Sequence, residues 1–118
     1  QIAYEHIITN MGLIKAGMSF AEMTNIAHRL PEAYRALRYG VLAHGIGLCD
    51  EYPSVRYPED VEAHGYGGVF EVGMTLSVEA YVGAVDGHEG VKLEEQIVVT
   101  DNGVVPLSSY RYEAAMLS

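Results

Sequence analysis

Hydrophobic positions along this chain change period twice, and each change marks a change of element. Ile2, His6, Ile7, Ile8, Met11 and Ile14 recur close to every 3.6 residues among polar neighbours, which predicts a first helix over residues 1–16 with Gly17 as its stop. Ser19-Phe20-Ala21-Glu22 has the form of a capping box, in which the serine hydroxyl takes an early helical N–H and the glutamate reaches back. It predicts a second helix running to His28-Arg29-Leu30, where Pro31 closes it. Pro31 to Arg35 then predicts a short helix, and Tyr39 to Ala43 an extended run feeding His44.

From Asp50 to Gly68 the periodicity disappears into Pro, Tyr, Gly and acidic residues, which predicts a long loop. Period two then takes over. Met74, Leu76, Val78, Ala80 and Val82 fall on one face of a strand and Thr75, Ser77, Glu79 and Tyr81 on the other. A second strand is marked by Val91, Leu93, Ile97 and Val99, with Lys92, Glu94, Gln96 and Val98 opposite, so that Glu94 is on the polar face and Glu95 shares parity with the apolar set. Gly83 to Gly90 is long enough for an antiparallel return, and Asp101-Asn102-Gly103 makes a tight turn into Val104–Leu107. Residues 108–118 form a tail. The class implied is α+β, with helices packed on a mostly antiparallel sheet and no domain boundary inside residues 1–118.

Charge removes several partners from consideration. Sixteen Asp and Glu against seven Lys and Arg give a net charge of −9, which repels phosphate backbones and anionic lipid, so neither nucleic acid nor a membrane surface is an expected partner. No apolar run approaches the roughly 20 residues needed to span a bilayer. The single cysteine, Cys49, has no internal disulfide partner and no CxxC spacing, and a reducing cytoplasm is the expected setting. The chain begins at Gln1 already inside a helical pattern, and it is treated as part of a larger protein.

The candidate chemistry gathers around His44-Gly45-Ile46-Gly47 and the adjoining Cys49-Asp50-Glu51-Tyr52-Pro53 segment. An imidazole at a glycine-flanked strand end, with one carboxylate on the polar face of each of two adjacent strands, forms half of a metal site from His44, Glu79 and Glu94. Mixed imidazole and carboxylate donors suit Mn, Fe, Co or Zn better than Ca. The same residues admit a plainer reading, with Glu79 and Glu94 as solvent-facing strand residues and His44 as a capped loop histidine. Asp50 and Glu51 read first as a solvated pair before Pro53 and second as a general base. Tyr39, Tyr52, Tyr66 and Tyr81 offer ring faces to a cation or simply pack. His64 and His88 read as loop surface, His6 and His28 have no assigned role, and Cys49 reads as a small filler.

Three motifs in order, His44-Gly-Ile-Gly-Leu48, Gly73-Met-Thr-Leu-Ser-Val-Glu79 and Gly90-Val-Lys-Leu-Glu94 running on to Gly103, resemble the C-terminal half of the pita-bread fold. That is the fold of methionine aminopeptidases, Xaa-Pro dipeptidases and creatinase, and the resemblance runs from the first helix to Leu107. It implies a partial catalytic domain, a sheet that is curved, and His44, Glu79 and Glu94 as ligands of a dinuclear centre. The two aspartates that complete such a centre lie upstream in the family, so this stretch alone is expected to bind metal poorly and to be inactive.

Two departures shift the expected chemistry. Peptidases of the family usually continue the HGxG motif with His-Glu-x-Pro, where this chain has Cys49-Asp50-Glu51-Tyr52-Pro53, and they usually carry Glu-Pro where it has Glu79-Ala80. In both respects, and in Val78-Glu-Ala-Tyr-Val-Gly83, the chain is similar to the dimethylsulfoniopropionate lyases of marine bacteria built on the same fold. That resemblance implies Asp50 as the catalytic base, Tyr39 as an active-site residue, iron as the metal, and a homodimer. It also implies a small-molecule substrate, dimethylsulfoniopropionate, cleaved to dimethyl sulfide and acrylate by β-elimination. Tyr39 or Tyr52 would hold the sulfonium, and Asp50 is expected to be partly buried in the same cavity. The alternatives are an Xaa-Pro-type metallopeptidase and a metal-free binding module of the same fold.

Overall fold

The computed structural model describes residues 1–117. The capping box forms as its sequence requires: Ser19 Oγ accepts from the Glu22 N–H at 3.1 Å, and Glu22 Oε2 accepts from the Ser19 N–H at 2.7 Å. The helix it starts, α2 (Phe20–Ile26), ends four residues before the predicted Leu30. Ala27 leaves the helical region, and the next N–H, that of His28, donates to Asn10 Oδ1 at 2.9 Å rather than to its own helix.

Helix α1 (Ile2–Leu13) is likewise shorter than predicted, since Ile14 is extended and Gly17 (φ +85°) forms a turn rather than a helix stop. Its buried stripe is Ala3, His6, Ile7, Asn10 and Met11, a regular i, i+3, i+4 face. Two of these five positions are polar, whereas Ile8 is exposed. The stripe is therefore rotated from one drawn through the isoleucines. Helix α3 (Glu32–Arg35) is the predicted short helix.

Strand β1 (Ala43–Gly45) contains His44 instead of merely leading to it. Residues 39–41 do not join it, because the Gly40 carbonyl accepts from Arg56 Nη1 and main-chain pairing begins only where the Leu42 N–H meets the Val55 carbonyl at 2.8 Å. The expected long loop is not structureless either: it holds β2 (Ser54–Val55), a 3-10 turn (Pro58–Asp60) and α4 (Val61–His64). Strands β3 (Thr75–Gly83) and β4 (Gly90–Thr100) form where the period-two pattern predicts them, and β5 (Gly103–Pro106) follows the turn at Asp101-Asn102.

The five strands form one sheet in the order β2-β1-β3-β4-β5, antiparallel at every pairing. Leu76, Val78, Ala80, Ile97 and Val99 are buried in one core with Ile7, Met11, Ile14, Phe20, Met23 and Phe70. Burying each such aliphatic or aromatic side chain contributes about 1.5–3 kcal/mol. The opposite face of β3 is buried too, with Ser77 and Glu79 both at 0% exposure. That overturns the reading of Glu79 as a solvent-facing strand residue.

The two polar positions of the α1 stripe are satisfied by distant partners. His6 Nε2 lies 3.1 Å from both Asn10 Nδ2 and the Tyr57 hydroxyl, and His6 Nδ1 lies 3.1 Å from His28 Nδ1. The assignment consistent with these partners is a neutral His6 whose Nε2 accepts and whose Nδ1–H donates to His28. Burial, reinforced by His28, lowers the His6 pKa to about 4.

Candidate metal centre

Residues directly opposite in an antiparallel ladder share a face, and the register decides which side chains meet. His44 pairs with Ser77 and with Ser54, and Glu79 pairs with Glu94. His44 and Glu79 are thus diagonal neighbours. One face of the sheet consequently carries Ser54, His44, Ser77, Glu79, Lys92 and Glu94, drawn from four strands. The three expected ligands converge: a ligand atom from each of His44, Glu79 and Glu94 lies within 4.8 Å of the other two.

The glycines of the HGxG motif have separate physical reasons. A Cβ on Gly45 would lie 1.9 Å from the Tyr52 carbonyl oxygen, because the chain of Tyr52-Pro53 crosses directly over it and the Gly45 N–H donates to the Pro53 carbonyl at 2.6 Å. Gly47 has φ +138°, which only glycine adopts readily. The Gly45 carbonyl in turn fixes the imidazole: His44 Nδ1 lies 2.9 Å from it, so Nδ1–H donates there. Nε2 is left facing Glu79 Oε1 at 3.2 Å and Glu94 Oε1 at 3.7 Å.

Three atoms bearing lone pairs therefore face one another, an arrangement that calls for a cation between them. Glu79 Oε1 is buried with no hydrogen-bond donor among the described residues, and Oε2 is met by the Lys92 ammonium at 2.7 Å. Burying an unsatisfied carboxylate is costly unless it is paired or coordinates a metal. This donor set fits a divalent metal of the Mn, Fe, Co or Zn type.

Lys92 and Ser77 complete the electrostatics, and neither is among the ligands that the sequence suggests. Lys92 Nζ lies 2.7 Å from Glu79 Oε2 and 3.5 Å from Glu94 Oε2, and 4.4 Å from the ring centroid of Tyr39. Its contact with Glu79 is an ion pair that neutralises part of the buried charge. Ser77 Oγ donates to Glu94 Oε1 at 2.5 Å. Burial pushes the Glu79 carboxyl above its ordinary range, against the opposing pull of Lys92. Burial also pushes Glu94 upward, but the Ser77 hydroxyl and the Lys92 ammonium outweigh it and hold Glu94 low. Lys92 and Ser77 each stand two residues before a glutamate on the same face, and that spacing is the signal that could have found them.

The other candidates are less closely gathered. Tyr39 is half-buried, with its hydroxyl 3.4 Å from Glu51 Oε1. The negative charge of Glu79, with burial and Glu51 adding to it, raises the pKa of that phenol and keeps it a proton donor. Tyr52 is 65% exposed and stacks on Tyr66, ring centroids 5.7 Å apart, while the Tyr66 hydroxyl accepts from the Ser54 N–H. Asp50 is exposed, contrary to the partial burial expected of it. It closes a turn in which its N–H meets the Gly47 carbonyl at 3.2 Å, and its φ of +53° lies in the left-handed region. Its side chain makes no hydrogen bond or ion pair among the described residues, so Glu51 is the acid of this pair in contact with Tyr39. Cys49 is exposed rather than a buried filler. A cavity of about 940 Å³ lies along β4 between residues 1–3 and the tail, and meets the centre only at Lys92 and Glu94.

The chain belongs to metallopeptidase family M24, whose profile it matches over residues 1–101. It is 45% identical over 117 residues to the dimethylsulfoniopropionate lyase DddP of Roseovarius nubinhibens and 39% identical to that of Roseobacter denitrificans. In both cases 99% of this chain is aligned, and it spans only 26% of the relative's length. Among solved structures it is similar to an Xaa-Pro dipeptidase from Bacillus anthracis, with a TM-score of 0.74 and 26% identity over 95% of this chain and 30% of that one. The expected pita-bread architecture is thus present in part, with its helices and antiparallel sheet.

Proposed function

We propose that the full-length protein is a metal-dependent lyase that cleaves dimethylsulfoniopropionate to dimethyl sulfide and acrylate. The observation that carries this reading is the pairing, within one site, of a His44–Glu79–Glu94 cluster with an aromatic ring that already holds a cation, Lys92 on Tyr39. A substrate with a carboxylate at one end and a sulfonium at the other needs both. The similarity to two named lyases of this substrate over 99% of the chain supports the same conclusion.

His44, Glu79 and Glu94 would hold a dinuclear centre, proposed to be iron, together with ligands from the rest of the protein. The chemistry such a centre supplies when bound is Lewis-acid polarisation of the substrate carboxylate. Asp50 takes the proton from the carbon next to that carboxylate. The electron pair of the broken C–H bond forms the new C=C bond, and the C–S pair leaves with neutral dimethyl sulfide. Tyr39 and Tyr52 present ring faces to the sulfonium at roughly 0.5–2 kcal/mol per contact.

A cytoplasmic homodimer is the proposed setting, and the exposed free thiol of Cys49 accords with a reducing compartment. Among the described residues no helix is long and apolar enough to cross a membrane. A metallopeptidase is the second reading, favoured by the likeness to the Xaa-Pro dipeptidase structure. Assaying the full-length protein with dimethylsulfoniopropionate and with Xaa-Pro dipeptides separates the two. Dimethyl sulfide release that disappears on chelation and returns with Fe²⁺ is the expected result; dipeptide hydrolysis without it would establish the peptidase, and neither activity would leave a binding module.

A further inference from the structure

The two carboxylates of the centre divide their oxygens between two sides. Oε1 of Glu79 and Oε1 of Glu94 face His44 Nε2, at 3.2 and 3.7 Å. The Oε2 atoms of both face the Lys92 ammonium, at 2.7 and 3.5 Å. One side thus presents lone pairs to a cation, with the Ser77 hydroxyl also donating to Glu94 Oε1, and the other is already occupied by an ammonium.

We propose that Lys92 is a positioning residue that occupies the second-cation side of the carboxylate pair, so that metal loads in two unequal steps and the second requires Lys92 to withdraw. This rests on the metal-centre reading above and deepens it. A first ion meets the His44 side without disturbing Lys92. A second, sharing the Oε2 side, competes with an ammonium already in contact with both carboxylates. The two partners differ in freedom to move: Glu79 is fully buried, whereas the Lys92 side chain is 43% exposed on a flexible four-carbon stem. The withdrawal therefore belongs to Lys92, and it also uncovers the face of Tyr39 on which Lys92 rests. Vacating that ring face leaves it open to a cationic substrate, which couples loading of the second ion to substrate binding.

Titrating the metal-free full-length protein with Mn²⁺, by calorimetry and by the electron paramagnetic resonance of free Mn²⁺, tests this. Wild type should show two steps. Lys92→Met should tighten the second by about tenfold, as expected when a competitor for the same site is removed, and leave the first within about twofold. Its metal-free form should also melt several degrees lower than wild type, with a smaller difference once loaded. Lys92→Arg should keep the wild-type pattern, and Lys92→Gln serves if the Met variant does not fold. Equal tightening of both steps would reduce Lys92 to a remote charge and overturn the proposal, as would no change in either. Absence of Mn²⁺ binding in wild type overturns the metal-centre reading itself, so the two failures are distinguishable.

Discussion

Glu79 and Glu94 stand directly opposite each other across β3 and β4, and only one of them is buried. Like charges at directly paired positions repel, so the pair is stable only with cations between or beside its members. Because Glu79 is enclosed and Glu94 is 38% exposed, the two should respond differently to neutralisation. Glu79→Gln and Glu94→Gln should both lower the metal content of the full-length protein, measured by elemental analysis. Only Glu79→Gln should raise the melting temperature of the metal-free form, since it removes a buried charge. Retention of full metal content by both variants would exclude these residues as ligands.

Asp50→Asn keeps the shape of the turn and removes the base. Turnover of dimethylsulfoniopropionate should fall on the order of 10²-fold or more with metal content unchanged. Glu51→Gln should have a smaller effect, acting through Tyr39, whose hydroxyl it meets at 3.4 Å. If Glu51→Gln shows the large loss and Asp50→Asn is active, the base is Glu51.

Gly45→Ala places a methyl group 1.9 Å from the Tyr52 carbonyl oxygen and 2.8 Å from Pro53 Cδ. The main chain at Tyr52 cannot move without breaking the Gly45–Pro53 hydrogen bond. A loss of about 2–3 kcal/mol in unfolding free energy is expected. Gly47→Ala meets no atom within 4 Å and suffers only its φ of +138°, so about 1–2 kcal/mol should be lost there. Denaturant titration of the two variants gives the order directly.

His6 sets a pH dependence of stability. Its folded pKa of about 4 lies below the ordinary value of 6.5, so the unfolded chain binds the proton more readily. The contribution is complete above pH 6.5 and is lost as pH falls from there towards 4, reaching about 3 kcal/mol at one pKa unit per 1.36 kcal/mol. His6→Gln should flatten the stability profile between pH 6.5 and 4 while lowering it at pH 7.5. An unchanged slope in that variant would assign the acid sensitivity to other groups.

What the sequence makes legible here is local, and what it hides is not. The capping box at Ser19 and Glu22 and the alternation through β3 and β4 are settled by neighbours within a few residues, and both elements form where the pattern puts them. The same alternation brings Glu79 and Glu94 to one face and, with His44, to one site. Strand β2 escapes notice because Ser54 and Val55 become a strand only by pairing with His44 and Ala43. The rotated stripe of α1 escapes for a similar reason, since His6 and Asn10 are buried only because Tyr57 and His28 supply their partners from far along the chain. Lys92 has the right spacing, yet its position over Tyr39 depends on a segment that has no regular structure of its own.

The strand register of β4 also guards the composition of the centre against insertions. A one-residue slip would exchange the faces of β4, presenting Leu93 and Glu95 in place of Lys92 and Glu94. A carboxylate would survive at the slipped position, but its counter-cation would become a leucine, and Lys92 would be driven into the layer that holds Ile7 and Phe70. Lengthening the 84–89 connection is harmless to the centre so long as Ile97 and Val99 keep their places. Chains diverging from this one are thus free to vary that connection and bound to keep the parity of β4 intact.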